Sequence, residues 1–311
     1  MLLVTLHGGG NADKHPHKNN VQAYDKDGKK LSTGILEDFD GIILDELRAI
    51  YFGNGILYVV NANKEQNSVL CYAGADLSFK FAGKFASQAT CSGIVHPFDL
   101  TFDGSGNAYL SSQDTNVVTR LKISAGGKTG SPAAIAPALP ANGKFLAGTF
   151  VASSKSLQPP TTPVPSPGGL EYSDDGPKKH SVRGVAWANG ALYVADEPAR
   201  HIKVYDKNGK FLGQSNGIES PVHITVWHGN IYVTGGDYVH WGKLPNPPGD
   251  FAVSAIKALK VKNSSGIAFT DKGNVYVASR TENCIYKFDA DFKPVKFSCD
   301  LPDNPEFLLH L

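Results

Sequence analysis

The chain has 311 residues with Gly 33, Pro 19, Tyr 12 and Phe 16 against a single Met, the composition of strands and turns rather than long helices. A formal net charge of +1 provides neither a basic field for nucleic acid nor an acidic tail, and no apolar run reaches membrane-spanning length, so neither partner is expected. The length admits one large all-β domain or two ordinary ones, and the composition favours the first.

The chain opens on LLVTLH, which reads as a strand: it lacks the basic region and cleavage site of a secretory leader. The compartment stays open between the cytoplasm and, if a leader was removed, a secreted or periplasmic location. NNVQAYD, a turn at Asp25-Lys26-Asp27-Gly28 and KKLSTG follow. A Tyr-Val type strand then recurs as ILYVVN from Ile56, NAYLSS from Asn107, ALYVAD from Ala191, NIYVTG from Asn230 and NVYVAS from Asn274. Each is preceded by a short apolar strand and a turn centred on glycine, as in VRGVAW-ANG and SGIAF-TDKG. The spacing, about 40 to 50 residues outside one insertion, is the period of a propeller blade.

The most regular copy, Ser181 to Ser215, contains four strands and serves as the ruler for the others. The N-terminus lacks a first strand, and Pro305 to Leu311 resembles the missing one. The expected fold is therefore an all-β six-bladed propeller of four-stranded antiparallel blades, closed by pairing residues 305–311 with 2–7. A single domain over 1–311 is expected, with a Pro/Ala/Ser/Gly-rich insertion at 125–180. Within that insertion GKFLAGTFVAS reads as the outer strand of blade three. Its proline-rich part is either a lid over the channel or a solvated loop. Cys284 and Cys299 face each other if a hairpin turns near Asp289, so a cross-strand disulfide is one reading and two half-buried thiols the other.

In this register, positions from separate blades converge on the channel mouth. The ends of the second strands give His7, Asn61, Ser112, Asp196, Gly235 and Ser279. The starts of the first strands give Glu306, Arg48, His96 or Phe98, Arg183, His223 and Ser265. Histidine both ligates transition metals and moves protons near neutral pH. His7, His96, His223, Glu306 and Asn61 are thus candidate metal ligands. His223, Asp196, Arg48 and Arg183 are candidate catalytic groups, the arginines suiting an anionic substrate. His15, His17, Asp237 and His240 lie in loops of the same blades. The bland alternative is a set of charges paired across a water-filled channel.

HPFDLTFDGSGNAYLSS, VRGVAWANGALYVADEPARHIKVYDKNGKFLG and SGIAFTDKGNVYVAS resemble NHL repeats over five blades. Related six-bladed enzymes, including peptidyl-amidoglycolate lyase and the gluconolactonase and paraoxonase groups, hold a divalent cation on the axis. Their lactonase pattern is matched loosely by Glu306, Asn61 and Asp196. The resemblance implies a small-molecule site with a divalent metal, Zn or Ca, no organic cofactor, and a lyase or hydrolase acting on a small anionic substrate. A non-catalytic monomer binding a protein or peptide across its top face is the alternative, and RNA binding a distant third.

Overall fold

The computed structural model describes residues 1–7, 19–133, 144–153, 157–158, 168–173, 180–298 and 301–311. All regular structure among them is strand, and no helix is long and apolar enough to cross a membrane. Local chemistry explains the turns. Asn54-Gly55, Asn189-Gly190 and His228-Gly229 each place two residues at positive φ, with Asn189 at 48° and Gly190 at 74°. This is the two-residue hairpin geometry that matches strand twist. The outer turns close on an aspartate: Asp206 accepts from the amides of Asn208 and Lys210 at 2.8 and 2.9 Å, and Asp25 and Asp289 do the same in blades one and six.

Six antiparallel sheets form the ring. Blade two runs Leu47–Gly53, Ile56–Asn61, Ser68–Ala75, Ser78–Ser87, and blade four Val182–Ala188, Ala191–Asp196, His201–Asp206, Phe211–Gln214. Blade five begins with Pro221–Trp227 and Asn230–Gly235, and blade six with Ser264–Phe269 and Val275–Ser279. Blade one takes its first strand, Pro305–His310, from the other end of the chain, paired to Leu2–Leu6 with Leu3 opposite Leu309 and Val4 opposite Leu308. Both sheet edges that an open array would expose are thereby consumed.

Blade three departs from the template. Its inner strands, Pro97–Phe102, Asn107–Ser112 and Val117–Ile123, are regular. The outer position is shared by two segments: Thr149–Val151 pairs with the Val118–Thr119 half of the third strand, and Gly130–Pro132 with its Leu121–Ile123 half. The expected outer strand from GKFLAGTFVAS therefore supplies half of that edge. The remainder of 125–180 lies largely outside the described residues, as do His15 and His17. Cys284 is disulfide-bonded, while its expected partner Cys299 falls outside the described residues; Cys71 and Cys91 are buried free thiols.

The core lies between blades. The recurrent tyrosines of the second strands, such as Tyr109, Tyr193 and Tyr276, are buried there. Tyr109 stacks on Trp187 of the next blade at 5.1 Å between ring centroids. Near its start every first strand slips register against the second, so that two of its residues oppose one. Such bulges re-aim side chains. Here they give each blade a consecutive pair at the axis: Arg48-Ala49, Phe98-Asp99, Arg183-Gly184, Val222-His223, Ser265-Gly266 and Glu306-Phe307.

Candidate functional site at the channel mouth

The first residue of the bulge pair in blades one, two and four, Glu306, Arg48 and Arg183, lines a cavity of about 850 Å³ at one end of the channel. Two further rings complete its wall. The residue before each first strand contributes Glu46, His96, Ser181, Asn263 and Asn304, with φ between 42° and 52° at Glu46, His96, Ser220 and Asn263. The residue after each second strand contributes His7, Gln113 and Arg280, with Lys64 and Asp114 nearby. Aromatic rings back the arginines: Phe98 and Phe307 meet edge to face at 5.3 Å, and the Arg48 and Arg183 guanidiniums lie 5.8 and 5.4 Å from the Phe98 ring.

Glu306 is the hub. Its Oε1 accepts from Arg48 Nη1 at 2.8 Å, and its Oε2 accepts from Arg280 Nε at 3.1 Å and from Arg280 Nη2. Burial alone would raise its pKa, but Arg280 and Arg48 outweigh burial and hold the carboxyl below its ordinary value, so it is ionised. Arg48 also donates Nη1 to His7 Nδ1 at 2.8 Å and Nη2 to Glu46 Oε2 at 3.1 Å. A guanidinium can only donate, so His7 Nδ1 is an acceptor and the proton of the neutral ring sits on Nε2. Burial and Arg48 both lower the His7 pKa, which keeps the ring neutral near pH 7.

His96 has the opposite character. Burial disfavours its charge, but hydrogen bonds to Asp114 and Glu46 prevail, at 3.5 Å from Nδ1 and 3.2 Å from Nε2, and its pKa is raised. Glu46, bonded to His96 and Arg48, is brought down to about 2. Arg183 donates Nε to Glu197 Oε2 at 2.7 Å, and Glu197 Oε1 lies 3.4 Å from His180 Nδ1.

Of the residues anticipated from sequence, Arg48, Arg183, Glu306, His7 and His96 meet in this cavity, and three do not reach it. Asn61 is buried and bonds the preceding loop, accepting from Asp45 N at 3.0 Å and donating to Ile43 O at 2.9 Å. Asp196 is buried against Lys203 Nζ at 2.7 Å and accepts from Glu171 N at 3.0 Å. His223 is the second residue of its bulge pair, so it lies past the Phe307 ring, 4.8 Å from it, in a lower cavity that also includes Asp99. There its Nδ1 accepts from Ile267 N at 3.2 Å, and burial brings its pKa down to about 4. Asp99 does the equivalent for blade four, accepting from Val185 N at 2.9 Å. Glu46, Arg280, Glu197, Gln113 and Lys64 were not anticipated. A shift of one residue finds Gln113, Glu197 and Arg280, which are the equivalents of His7 in place of Ser112, Asp196 and Ser279, while Glu46 is the equivalent of His96, before its first strand.

Three of the five residues anticipated as metal ligands, His7, His96 and Glu306, surround the Arg48 guanidinium, and Asn61 and His223 lie elsewhere. Both oxygens of Glu306, Nδ1 of His7 and both ring nitrogens of His96 are already engaged, so this set does not fit a divalent cation. Among the described residues no three His, Cys, Asp or Glu side chains are disposed to hold a metal ion.

No family model matches the chain, and no curated protein does. Solved structures share its fold. The nidogen/laminin complex has a chain similar to it with a TM-score of 0.58 and 11% identity, over 99% of this chain and 96% of that one. A protein from Lactobacillus plantarum has a TM-score of 0.56 and 12% identity over 96% of this chain and 81% of its own. The catalytically inactive virginiamycin B lyase from Staphylococcus aureus, with quinupristin, has a TM-score of 0.50 and 13% identity over 84% and 73%. At such identities the likeness is one of fold.

Proposed function

We propose that the mouth cavity binds a small, strongly polar anion and is the site of a lyase or hydrolase reaction on it. The observation that carries this reading is the convergence of Arg48, Arg183 and Arg280, whose charges oppose one another after burial is counted. The terminal nitrogens of Arg48 are taken by Glu306, His7 and Glu46. The terminal nitrogens of Arg183 and Nη1 of Arg280 have no partner among the described residues, and Lys64 adds a further cation. A carboxylate or phosphate oxygen relieves that repulsion and satisfies those donors.

His7 gives the reading its chemistry. With Nδ1 held by Arg48, its Nε2–H is a neutral hydrogen-bond donor, able to polarise a carbonyl oxygen beside the bound anion. No metal step is invoked, and His223 and Asp196 have no part in it.

The test is calorimetric titration of the intact protein with small carboxylates and phosphate esters. Binding should weaken at least about tenfold in Arg183→Gln and again in Arg280→Gln, the loss of one charge-assisted pair each, with the thermal midpoint kept as a folding control. Anion binding indifferent to both changes would move the function to protein or peptide binding across this face.

A further inference from the structure

A second cavity, of about 740 Å³, lies between blades two and three at the other end of their strands. Its walls are the hairpins at Asn54–Gly55 and Asp103–Gly106 and the turn at 124–127, and it shares no lining residue with the mouth. Its floor is aromatic. Phe102 lies 4.4 Å from Tyr51 and 4.9 Å from Tyr58 between ring centroids, and Trp187 enters from blade four. Tyr51 keeps 37% of its surface exposed, an unusual place for a large ring with nothing to cover it.

The rings are braced. Tyr58 meets Phe85 edge-on at 5.3 Å and donates its hydroxyl to Gly127 O at 2.8 Å. Gly127 has a φ of +72°, and a Cβ there would stand 3.0 Å from that hydroxyl and 3.2 Å from Ile56 Cδ1. Glycine thus lets the turn close onto the floor, so the groove is shaped before anything enters it.

Charge separates this cavity from the mouth. Among the described residues no lysine or arginine lines it, and the one carboxylate, Asp103, is consumed locally. Asp103 Oδ1 accepts from the amides of Ser105 and Asn107, and Oδ2 from Asn107 Nδ2 and the Tyr109 hydroxyl. What remains at the rim is neutral: the Asn54 amide, the Ser124 and Tyr51 hydroxyls and turn backbone. A flat aromatic floor with a neutral hydrogen-bonding rim fits a ligand with C–H faces and hydroxyl edges, which is the shape of a pyranose ring.

We infer that this groove binds a neutral oligosaccharide, with Tyr51 and Trp187 as stacking platforms and Asn54 and Ser124 as partners for sugar hydroxyls. The inference stands apart from the reading of the mouth. It is tested on the intact protein with a panel of neutral gluco-, xylo-, manno- and N-acetylglucosamine oligosaccharides, followed by tryptophan emission and saturation-transfer NMR. At least one should bind and shift the emission of Trp187. Tyr51→Ala should weaken it about tenfold or more, while Arg183→Gln leaves it unchanged. Failure of the whole panel to bind at millimolar concentration, or binding undiminished in both Tyr51→Ala and Asn54→Ala, overturns the inference.

Discussion

Arg48 illustrates what a buried cation requires. Its terminal nitrogens donate to Glu306, Glu46 and His7, and these three acceptors offset much of its desolvation, although its buried Nε has no partner among the described residues. Arg48→Ala leaves Glu306 with Arg280 alone and should cost about 3 kcal/mol, read as a lower urea midpoint. His223 gives a pH signature. Its folded pKa of about 4 lies below the ordinary 6.5, so the folded state resists protonation more than the unfolded chain does. The stability it preserves is complete above pH 6.5 and is lost as pH falls toward 4, by up to about 3 kcal/mol. His223→Gln keeps an acceptor for Ile267 N–H without titrating, so the slope of stability across that acid range should flatten. At this scale the sequence placed Arg48 and Arg183 at the mouth, where they lie, and also placed His223, Asp196 and Asn61 there, where they do not. Residue type announces that a group is ionisable, but only the register decides whether it faces ligand, neighbouring blade or core.

That register is set at the level of the strand by the bulge. VRGVAW alternates cleanly on paper, yet Val182 opposes Asp196 and Val185 opposes Val194, which leaves Arg183 and Gly184 together against Ala195. A period-two pattern cannot reveal this, so the strand was legible and its aim was not. The bulges also differ by turns around the ring. Blades one, three and five carry Phe307, Asp99 and His223 at the second bulge position and a hydroxyl, Thr5, Ser111 or Thr234, opposite it. Blades two, four and six carry Ala49, Gly184 and Gly266. The hydroxyls cap the bulge amide at 3.0 to 3.1 Å, and Ser111 and Thr234 also donate to the next blade at Arg183 O and Ser265 O. Thr234→Val should therefore cost about 1–3 kcal/mol through unsatisfied buried backbone groups, measured by denaturant unfolding. At Gly184 a Cβ would stand 2.6 Å from Val222 O, so Gly184→Ala should destabilise by about 1–3 kcal/mol although the change is small.

At the scale of the whole molecule the propeller was legible because its evidence is redundant. Five copies of a Tyr-Val strand behind a glycine turn make one misread blade harmless, and a strand missing at one end and left over at the other implies closure. The outer edge of blade three had no such redundancy, since its two short segments each carry too few residues for a periodic signal. Closure itself is testable. Truncation after Leu301 removes the first strand of blade one, exposes the edge of Leu2–Leu6 and deletes Glu306, and the product should elute as aggregate on gel filtration.

The strand that closes the ring carries the carboxylate to which Arg48 and Arg280 are tied. The mouth is therefore complete only when that strand is in place. Without that strand, Arg48 of blade two and Arg280 of blade six lose the carboxylate that bridges them. On the reading proposed for the mouth, an anion bound there would act as a rivet across the seam, slowing the unzipping of blade one and lengthening the lifetime of the closed ring.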